Sequence, residues 1–292
     1  MKRWMLAVSA AALAACAGGP KSEAGASVEA AQYVAGADAA LNSAVGGAWR
    51  TPANAARDAA RKPEEALSFW GLKSGGTVLE LQPGGGYWTE ILAPYARQRS
   101  GKFIATAADL GNPELSQAAR DARAAFEARF ADEAVYGKVA YVNFGAKSVG
   151  LGADGSVDLV LTARNIHNWM ANGTLDKVFA ESFAVLKAGG VLAIEEHRNA
   201  PETAQDPKAS TGYVSEAFVI AAAERAGFKL DARSDLFANP NDDRDHPFGV
   251  WTLPPVLRTS PNGKPADPSF DSSPYKAIGE SDRMALRFMK PQ

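Results

Sequence analysis

The sequence has a single cysteine, Cys16, among 292 residues. One cysteine cannot form an intrachain disulfide, so a disulfide framework is excluded. The chain also lacks a long apolar run, because the apolar stretch at residues 5–12 is too short to span a bilayer. Its formal net charge is −2, so no excess of positive charge favours nucleic acid as a partner. The hydrophobic content of 46% is typical of an ordinary globular protein with enough apolar material for a core.

Residues 1–16 are typical of an export signal. Lys2 and Arg3 give a basic start, the short apolar run follows, and residues 13–16 (Leu-Ala-Ala-Cys) resemble a bacterial lipobox. In such signals the cysteine is lipidated, which predicts a lipid on Cys16 as the chain's only contact with a membrane. The alternative is an ordinary cleaved signal peptide with a coincidental cysteine. Ala17 follows the cysteine, and by the same resemblance this indicates the outer membrane, facing the periplasm.

Residues 17–49 are rich in alanine, glycine and serine and carry few large apolar side chains. Such a segment cannot bury enough surface to offset its ordering entropy, so we predict a disordered tether. The folded domain is predicted to cover residues 50–292. Near its start, residues 57–63 carry several charges. They are in a position to reach a ligand from above, but charged residues on a helix usually face solvent.

Residues 77–94 (TVLELQPGGGYWTEILAP) form the stretch around which the domain is organised. A short buried strand is followed by a turn of three glycines, Gly84, Gly85 and Gly86, and then by an amphipathic helix. This is the opening unit of a doubly wound α/β sheet, and ligands bind at such turns. A dinucleotide fingerprint counted from Gly84 would need a third glycine where Thr89 stands, so a nicotinamide-dependent oxidoreductase is disfavoured.

The rest of the domain alternates strands with helices. Apolar residues recur at helical spacing between Leu115 and Phe130, which predicts a helix packed on the sheet. Apolar, β-branched runs predict the remaining strands at residues 101–107, 139–144, 157–162, 191–195, 228–237 and 281–288. Residues 252–280, with several prolines, are predicted to be an irregular excursion before the last strand.

Polar side chains follow the fourth and fifth strands. Arg164, Asn165 and His167 come directly after residues 157–162. Because residues beyond the carboxyl ends of such strands face the ligand crevice, this cluster is a candidate site. For any single one of these residues, packing in a loop or a hydrogen bond to the backbone is an equally good interpretation. His167 is the first candidate for a general base.

A second polar group, Glu196 and His197, ends the fifth strand. A glutamate beside a histidine can serve as acid–base machinery, but adjacent strand residues point to opposite faces, so only some share the crevice. His197 and Tyr213 are therefore weaker candidates for the base. Residues 239–247 combine acidic and amide side chains with a histidine, but their spacing fits neither an EF-hand nor a zinc signature. No metal site is predicted.

The stretch from Glu80 to Gly86, E-L-Q-P-G-G-G, resembles motif I of class I S-adenosylmethionine-dependent methyltransferases, E-x-G-x-G-x-G, with Gln82 at the first glycine. The order of elements is also similar to theirs: five strand–helix units, a sixth strand, and a last strand returning antiparallel between strands five and six. More narrowly, residues 164–169 (RNIHNW) resemble a group of exported bacterial proteins described as predicted methyltransferases. The resemblance implies a Rossmann-like α/β fold, with a seven-stranded sheet and helices on both faces.

The resemblance further implies S-adenosylmethionine as cofactor and a methyl acceptor, which we expect to be a small molecule. Asp109 is the candidate for the ribose, a little beyond the usual place, and Gly145-Ala146 stands where many members carry an acid. The residues implied to hold the cofactor are Glu80, Gln82, Gly84, Gly85, Gly86, Tyr87, Asp109, Arg164 and Asn165.

The alternative function is a catalytically inactive binding protein on the same fold in the periplasm, where S-adenosylmethionine is not expected to be plentiful. The two functions predict different pockets. An open, polar pocket between Gly84 and Asn165, lined by His167, favours the methyltransferase. A pocket filled by Tyr87 and Trp88 favours the binding protein.

Overall fold

The computed structural model describes residues 38–292. The predicted signal peptide, its cysteine Cys16 and the first part of the predicted tether lie outside the described residues. The helices are α1 (Ala39–Val45), α2 (Pro52–Ala55), α3 (Asp58–Arg61), α4 (Pro63–Phe69), α5 (Thr89–Gln98), α6 (Gln117–Arg129), α7 (Glu133–Tyr136), α8 (Ile166–Asn172), α9 (Leu175–Val185), α10 (Glu216–Arg225) and α11 (Ser273–Ile278). The strands are β1 (Thr77–Leu81), β2 (Lys102–Ala108), β3 (Val139–Phe144), β4 (Val157–Ala163), β5 (Leu186–His197), β6 (Lys229–Ser234), β7 (Pro247–Val250) and β8 (Arg283–Met289).

Seven of these strands form one sheet in the order β3-β2-β1-β4-β5-β8-β6. The pairs β1/β2, β2/β3, β1/β4 and β4/β5 are parallel, whereas β8 runs antiparallel to both β5 and β6. The prediction of a last strand inserted antiparallel between the fifth and sixth is confirmed. The order reverses beside β1, and in open α/β sheets ligands bind at such a switch point.

Helices cover both faces of the sheet, as predicted. Side chains alternate along β1, so Val78 packs into the core beneath α5 and Leu79 into the core beneath α9. On the first face α5 buries Ile91, and on the second α9 buries Phe179, with both side chains at 1% exposure or less. These two cores fix the strands whose carboxyl ends carry the site.

The prediction of a tether reaching residue 49 is wrong for residues 38–49. Asp38 caps α1 by accepting hydrogen bonds from the backbone N–H groups of Ala40 and Leu41. The same carboxylate accepts from Tyr95 Oη at 2.8 Å, which ties the segment to α5. Leu41 lies in the core at 6% exposure. An alanine-rich helix that needs little apolar surface of its own is stabilised here by a larger neighbour.

Two helices differ from the sequence-based expectation. α6 packs on the sheet through Phe126, as predicted, but none of its residues is fully buried. The predicted polar cluster after β4 forms a helix, α8, and places His167 in its first turn. Within residues 38–292, no helix has both the length and the apolar character required to cross a membrane.

Candidate active site

The turn between β1 and α5 exposes its backbone to an open space. Gly84 has a φ of +56°, and a Cβ added at Gly84 or Gly85 would meet no atom within 4 Å. Gly86 differs, because its Cβ would lie 2.7 Å from Phe130 Cζ at a φ of +76°. The first two glycines therefore leave room for a ligand at the backbone. Gly86 was predicted to hold the cofactor, but the structure makes it a packing residue beneath α6.

Gln82 occupies the position where motif I has its first glycine. Its φ is +44°, the left-handed region that favours glycine, so a side chain here is strained unless its surroundings hold it. The surroundings do hold it: its N–H donates to Thr106 Oγ1 at 2.7 Å, and its side-chain oxygen accepts from Trp169 Nε1 at 2.5 Å. Two hydrogen bonds of Gln82 thus hold the left-handed conformation that a glycine would adopt without them.

Asn165 joins the end of β4 to the same turn. Its side-chain Nδ2 donates to the carbonyl oxygens of Leu81 at 3.1 Å and Gln82 at 3.3 Å. Asn165 is 8% exposed. It therefore fixes the distance between the carboxyl ends of β1 and β4, where the sheet order reverses.

Two cavities meet at this turn and share four lining residues: Gln82, Pro83, Gly84 and Asn165. The first, of about 320 Å³, lies between the turn, the start of α8 and the segment from Val250 to Val256. The second, of about 490 Å³, lies between the turn, the ends of β2 and β3, and α6. Both are within the size range of small-molecule sites. An extended ligand can therefore lie across the glycine turn from one cavity to the other.

The second cavity is largely apolar. Ala119, Ala122 and Phe126 of α6 face Phe144 at the end of β3. None of the residues of α6 is fully buried, because its apolar face lines this cavity as well as packing on the sheet through Phe126. Asp109 lines neither cavity, because its carboxylate turns back to accept from the N–H of Gly111 at 2.9 Å. The structure therefore does not bring Asp109 to the other predicted cofactor residues.

The first cavity is lined by cations and by one buried carboxyl group. Arg57, Arg61 and Arg164 line it, and Arg61 is fully buried. Glu80, at the end of β1, is 3% exposed and accepts from Thr89 Oγ1 at 2.6 Å. Burial raises the pKa of Glu80 to about 8, with the Thr89 hydrogen bond acting in the opposite direction. Its carboxyl group is therefore mostly neutral at pH 7.

His167 lines the first cavity and is oriented by Glu196. His167 Nδ1 lies 3.0 Å from Glu196 Oε1, and His167 is 5% exposed. Glu196 also accepts from the backbone N–H groups of Ile166 at 2.6 Å and His197 at 2.8 Å. An ionised carboxylate only accepts hydrogen bonds, so His167 Nδ1 donates and Nε2 carries the lone pair. This is the arrangement of an oriented general base.

The other two candidate bases are placed differently. His197 lines the cavity, with its ring centroid 5.5 Å from that of His167 and its Nδ1 2.6 Å from Ser281 Oγ. Burial first, and then the electrostatic effect of the neighbouring His167, lower the pKa of His197 well below its usual value. Tyr213 does not line the cavity; its hydroxyl donates to Asp242, and burial raises its pKa. The structure therefore places Tyr213 outside the cavity, bonded to Asp242.

Two side-chain groups in the described residues have a spacing that metal ligands adopt: His167 with Glu196 and His197, and Asp242 with Asp243 and His246. In the first group, the Glu196 oxygens already accept from three backbone N–H groups and from His167. In the second, Asp242 accepts from Tyr213, His246 and backbone N–H groups. Both carboxylates therefore have hydrogen-bonded roles within the protein.

The first cavity is open, polar and lined by His167, as the methyltransferase interpretation predicts. Tyr87 and Trp88 form part of its wall and do not fill it. Tyr87 is held there by a hydrogen bond from its hydroxyl to Asp58 Oδ1 at 2.7 Å, with Arg61 stacked 4.4 Å above its ring. Sequence reasoning missed the buried role of Arg61, because charges on a helix usually face solvent. The available signal was that a proline, Pro63, begins a new helix two residues after Arg61.

Comparison with known proteins agrees with this site. Residues 79–194 match the family model of a methyltransferase domain. The chain is similar to the [4+2]-cyclase SpnF, with 15% identity, coverage of 86% of this chain and 91% of that chain, and a TM-score of 0.50. It is also similar to a SAM dependent methyltransferase from Aquifex aeolicus, with 21% identity, coverage of 62% and 86%, and a TM-score of 0.45. The chain has no match among curated proteins.

The residues present fit S-adenosylmethionine. Gly84 and Gly85 leave open space at the turn, and the slot lined by α6 is apolar, as an adenine ring requires. The described residues lining that slot include no acid for the ribose. The match of residues 79–194 to a methyltransferase-domain model supports S-adenosylmethionine as the cofactor, and the sheet order is that of the Rossmann-like methyltransferase fold.

Proposed function

We propose that this protein transfers a methyl group from S-adenosylmethionine to a small-molecule acceptor, with His167 as the general base. The observation that carries the proposal is the His167–Glu196 pair at the wall of the open cavity beside the glycine turn. The alternative, an inactive binding protein on the same fold, is not supported, because Tyr87 and Trp88 leave the cavity open.

The cofactor, when bound, supplies an electrophilic methyl group that needs alignment more than activation. The backbone at Gly84 and Gly85 and the side chains of Glu80 and Tyr87 form the wall of the first cavity that would hold its methionine part. The slot lined by Ala119 and its neighbours in α6 would hold the adenosine. Gln82 and Asn165 position the glycine turn that separates the two cavities. Arg164 contributes positive charge to the first cavity.

His167 takes the acceptor's proton on Nε2. Glu196 holds the ring through Nδ1, so Nε2 is the lone-pair nitrogen, and the positive charge that develops on the imidazole is stabilised by the adjacent carboxylate. His197 lies beside it as a partly buried imidazole whose lowered pKa keeps it neutral. These residues orient the acceptor and receive its proton.

Two substitutions test the base. Transfer of a labelled methyl group is measured with the full chain and a panel of small acceptors. We expect His167→Asn to lower the rate by about 10²- to 10⁴-fold. Affinity for S-adenosylhomocysteine should stay within about threefold of the parent. His197→Asn, which changes the neighbouring ring, should have a smaller effect, and full activity in His167→Asn would remove His167 from the mechanism.

We also propose that the chain is an exported lipoprotein of the predicted methyltransferase group, anchored through Cys16 at the outer membrane and facing the periplasm. The basic start, the short apolar run and the lipobox-like residues 13–16 support this proposal. It implies that the cofactor and acceptor must reach the protein outside the cytoplasm.

A further inference from the structure

The first cavity is backed by a cluster of arginines with too few carboxylates to neutralise them. The cluster consists of Arg57, Arg61, Arg164 and Arg283 around Glu195 and Glu280. Arg283 Nη1 lies 2.5 Å from Glu195 Oε1 and 3.0 Å from Glu280 Oε2. Burial acts to raise the pKa of Glu280, but the arginines, Arg283 first, outweigh it and hold that pKa at about 2. Both carboxylates lie against arginines, although Glu195 Oε2 has no hydrogen-bond partner among the described residues, and four arginines around two carboxylates leave an excess of positive charge.

Several guanidinium nitrogens of this cluster have no hydrogen-bond partner in the described part of the chain. Both terminal nitrogens of Arg61, Nη1 and Nη2, are buried and unpartnered, and so is Arg57 Nη2. Arg164 makes a 3.8 Å contact to Glu195 through Nε, and its terminal nitrogens form no hydrogen bond within residues 38–292. A buried cationic donor without a partner is costly to the fold. Such donors on a cavity wall indicate a missing anion.

The same wall carries no opposing negative charge. Arg57 and Arg164 expose 20% and 22% of their side chains toward the open space, with Arg61 buried behind them. Glu80 is the acidic residue among those that line the cavity, and its raised pKa of about 8 leaves it mostly neutral at pH 7. The four arginines and two carboxylates therefore leave a net charge of about +2 at this wall of the cavity at neutral pH.

We propose that Arg57, Arg61 and Arg164 bind an anionic group, a carboxylate or a phosphate, on the methyl acceptor. Planar guanidinium groups match both anions through paired N–H donors. The proposal rests on the proposed methyltransferase function and names its substrate class, a small acid. Arg164 and His167 belong to the same β4–α8 connection, so an acceptor held by its acidic group is presented to the base from the same segment.

The cofactor alone does not account for this charge. S-adenosylmethionine carries one carboxylate, but its sulfonium and ammonium groups make it a net cation at pH 7. A net cation beside a cluster with an excess of about two positive charges is repelled unless a second anion enters the cavity. The acceptor is the remaining component of the reaction that can supply one. Its acidic group would reduce the positive charge of the assembled site.

Inorganic phosphate is the probe that distinguishes a site for the acceptor's acidic group from a site for the cofactor's carboxylate. The full chain, saturated with S-adenosylhomocysteine, is titrated with phosphate by calorimetry at pH 7. Arg57→Gln is the principal variant, because Arg57 is partly exposed and its loss leaves the core intact. Arg61→Gln removes the fully buried group. The matched control is Arg225→Gln, since Arg225 is 58% exposed on α10 and lies outside the cavity.

The proposal predicts millimolar or tighter phosphate binding to the saturated parent and to Arg225→Gln. We expect that binding to be at least about tenfold weaker in Arg57→Gln, with S-adenosylhomocysteine affinity changed by less than about threefold. Phosphate that competes with S-adenosylhomocysteine, with both weakened in Arg57→Gln, would assign the arginines to the cofactor carboxylate and overturn the proposal. Equal phosphate binding by Arg57→Gln and Arg225→Gln would overturn it too.

The same titrations separate failure of this inference from failure of the proposed function. A chain that binds S-adenosylhomocysteine but no phosphate contradicts the acidic acceptor alone. A chain that binds phosphate but no S-adenosylhomocysteine contradicts the methyltransferase and, with it, the assignment of the anion to a methyl acceptor.

Discussion

His167 Nδ1 and Glu196 Oε1 lie 3.0 Å apart, although the two residues are separated by 29 positions in the chain. The parallel register of β4 and β5 explains the contact, because Ala163 pairs with Glu195 and the strands end side by side. α8 then begins at Ile166, and Glu196 accepts from its first N–H groups. One carboxylate thus starts the helix and orients the imidazole that the helix carries.

Glu196→Gln should reduce methyl transfer without removing the cofactor site. The amide can still accept from the backbone N–H of Ile166, but it no longer stabilises a charged His167 ring. We expect the rate of labelled-methyl transfer to fall by about 10²-fold or more, with S-adenosylhomocysteine affinity within about threefold. An unchanged rate would show that the pair is structural only.

Glu80→Gln should change how stability depends on pH. The pKa of Glu80 is raised from 4.5 to about 8, chiefly by burial, so the folded protein keeps a proton that the unfolded chain releases. The stabilising contribution of the neutral carboxyl group is full below about pH 4.5 and is lost as pH rises through about 8.

Urea unfolding of the cofactor-free chain between pH 5 and pH 9 measures this effect. The stability of Glu80→Gln relative to the parent should rise with pH, by up to about 4 kcal/mol. The amide retains the acceptor for Thr89, so the variant is a close structural match. Parallel pH profiles for the two proteins would contradict the neutral state of Glu80.

Gly85→Ala and Gly86→Ala should separate cofactor binding from folding. A methyl group at Gly85 meets no atom of the protein but occupies the open space at the turn, so we expect about tenfold or greater loss of S-adenosylhomocysteine affinity with little change in stability. At Gly86 it would meet Phe130 at 2.7 Å with a φ of +76°, which should cost about 1–3 kcal/mol. Calorimetry and urea unfolding measure the two effects, and the reverse pattern would mean that the cofactor lies elsewhere.

Arg283→Ala should strongly destabilise the fold. It removes the 2.5 Å partner of Glu195, a carboxylate with no solvent exposure, and leaves that charge buried. The expected loss is about 3–5 kcal/mol in the free energy of unfolding. Arg225→Ala, at an exposed ion pair, should stay within about 0.5 kcal/mol. Similar losses in both variants would show that the buried cluster does not stabilise the domain.

Cys16→Ser should abolish lipidation of the full chain expressed in a bacterial host. The lipobox-like sequence predicts that the parent incorporates a labelled fatty acid and fractionates with membranes. The serine variant should incorporate none and leave the membrane fraction. Equal labelling, or a parent that is cleaved and released without lipid, would favour the ordinary signal peptide.

The strands were predictable from sequence because apolar runs separated by turns are a local signal. β1, for example, was expected at residues 77–80 and occupies Thr77–Leu81. The insertion of β8 between β5 and β6 was not local; it came from resemblance to a family and is confirmed by the register of β8 with both neighbours. Local patterns fix elements, whereas strand order depends on long-range packing.

The features that sequence reasoning missed depend on partners elsewhere in the chain. Residues 39–45 have too little apolar surface to predict order, and α1 is stabilised by its contact with α5. The apolar face of α6 was read correctly, but a cavity and a core present the same pattern in sequence. The sequence alone predicts Arg61 as a surface charge, because its partner Glu280 lies more than 200 residues away in the chain. Asp109 and Tyr213 carry the functional groups expected for a ribose ligand and a base. The structure places both side chains outside the two cavities.

The central claim is that the two cavities at the glycine turn bind S-adenosylmethionine. Calorimetric titration of the full chain with S-adenosylmethionine and S-adenosylhomocysteine tests it most directly. Micromolar binding of both, lost or greatly weakened in Gly85→Ala, is the result predicted here. No binding at millimolar ligand would contradict the claim and leave the open turn for a different ligand.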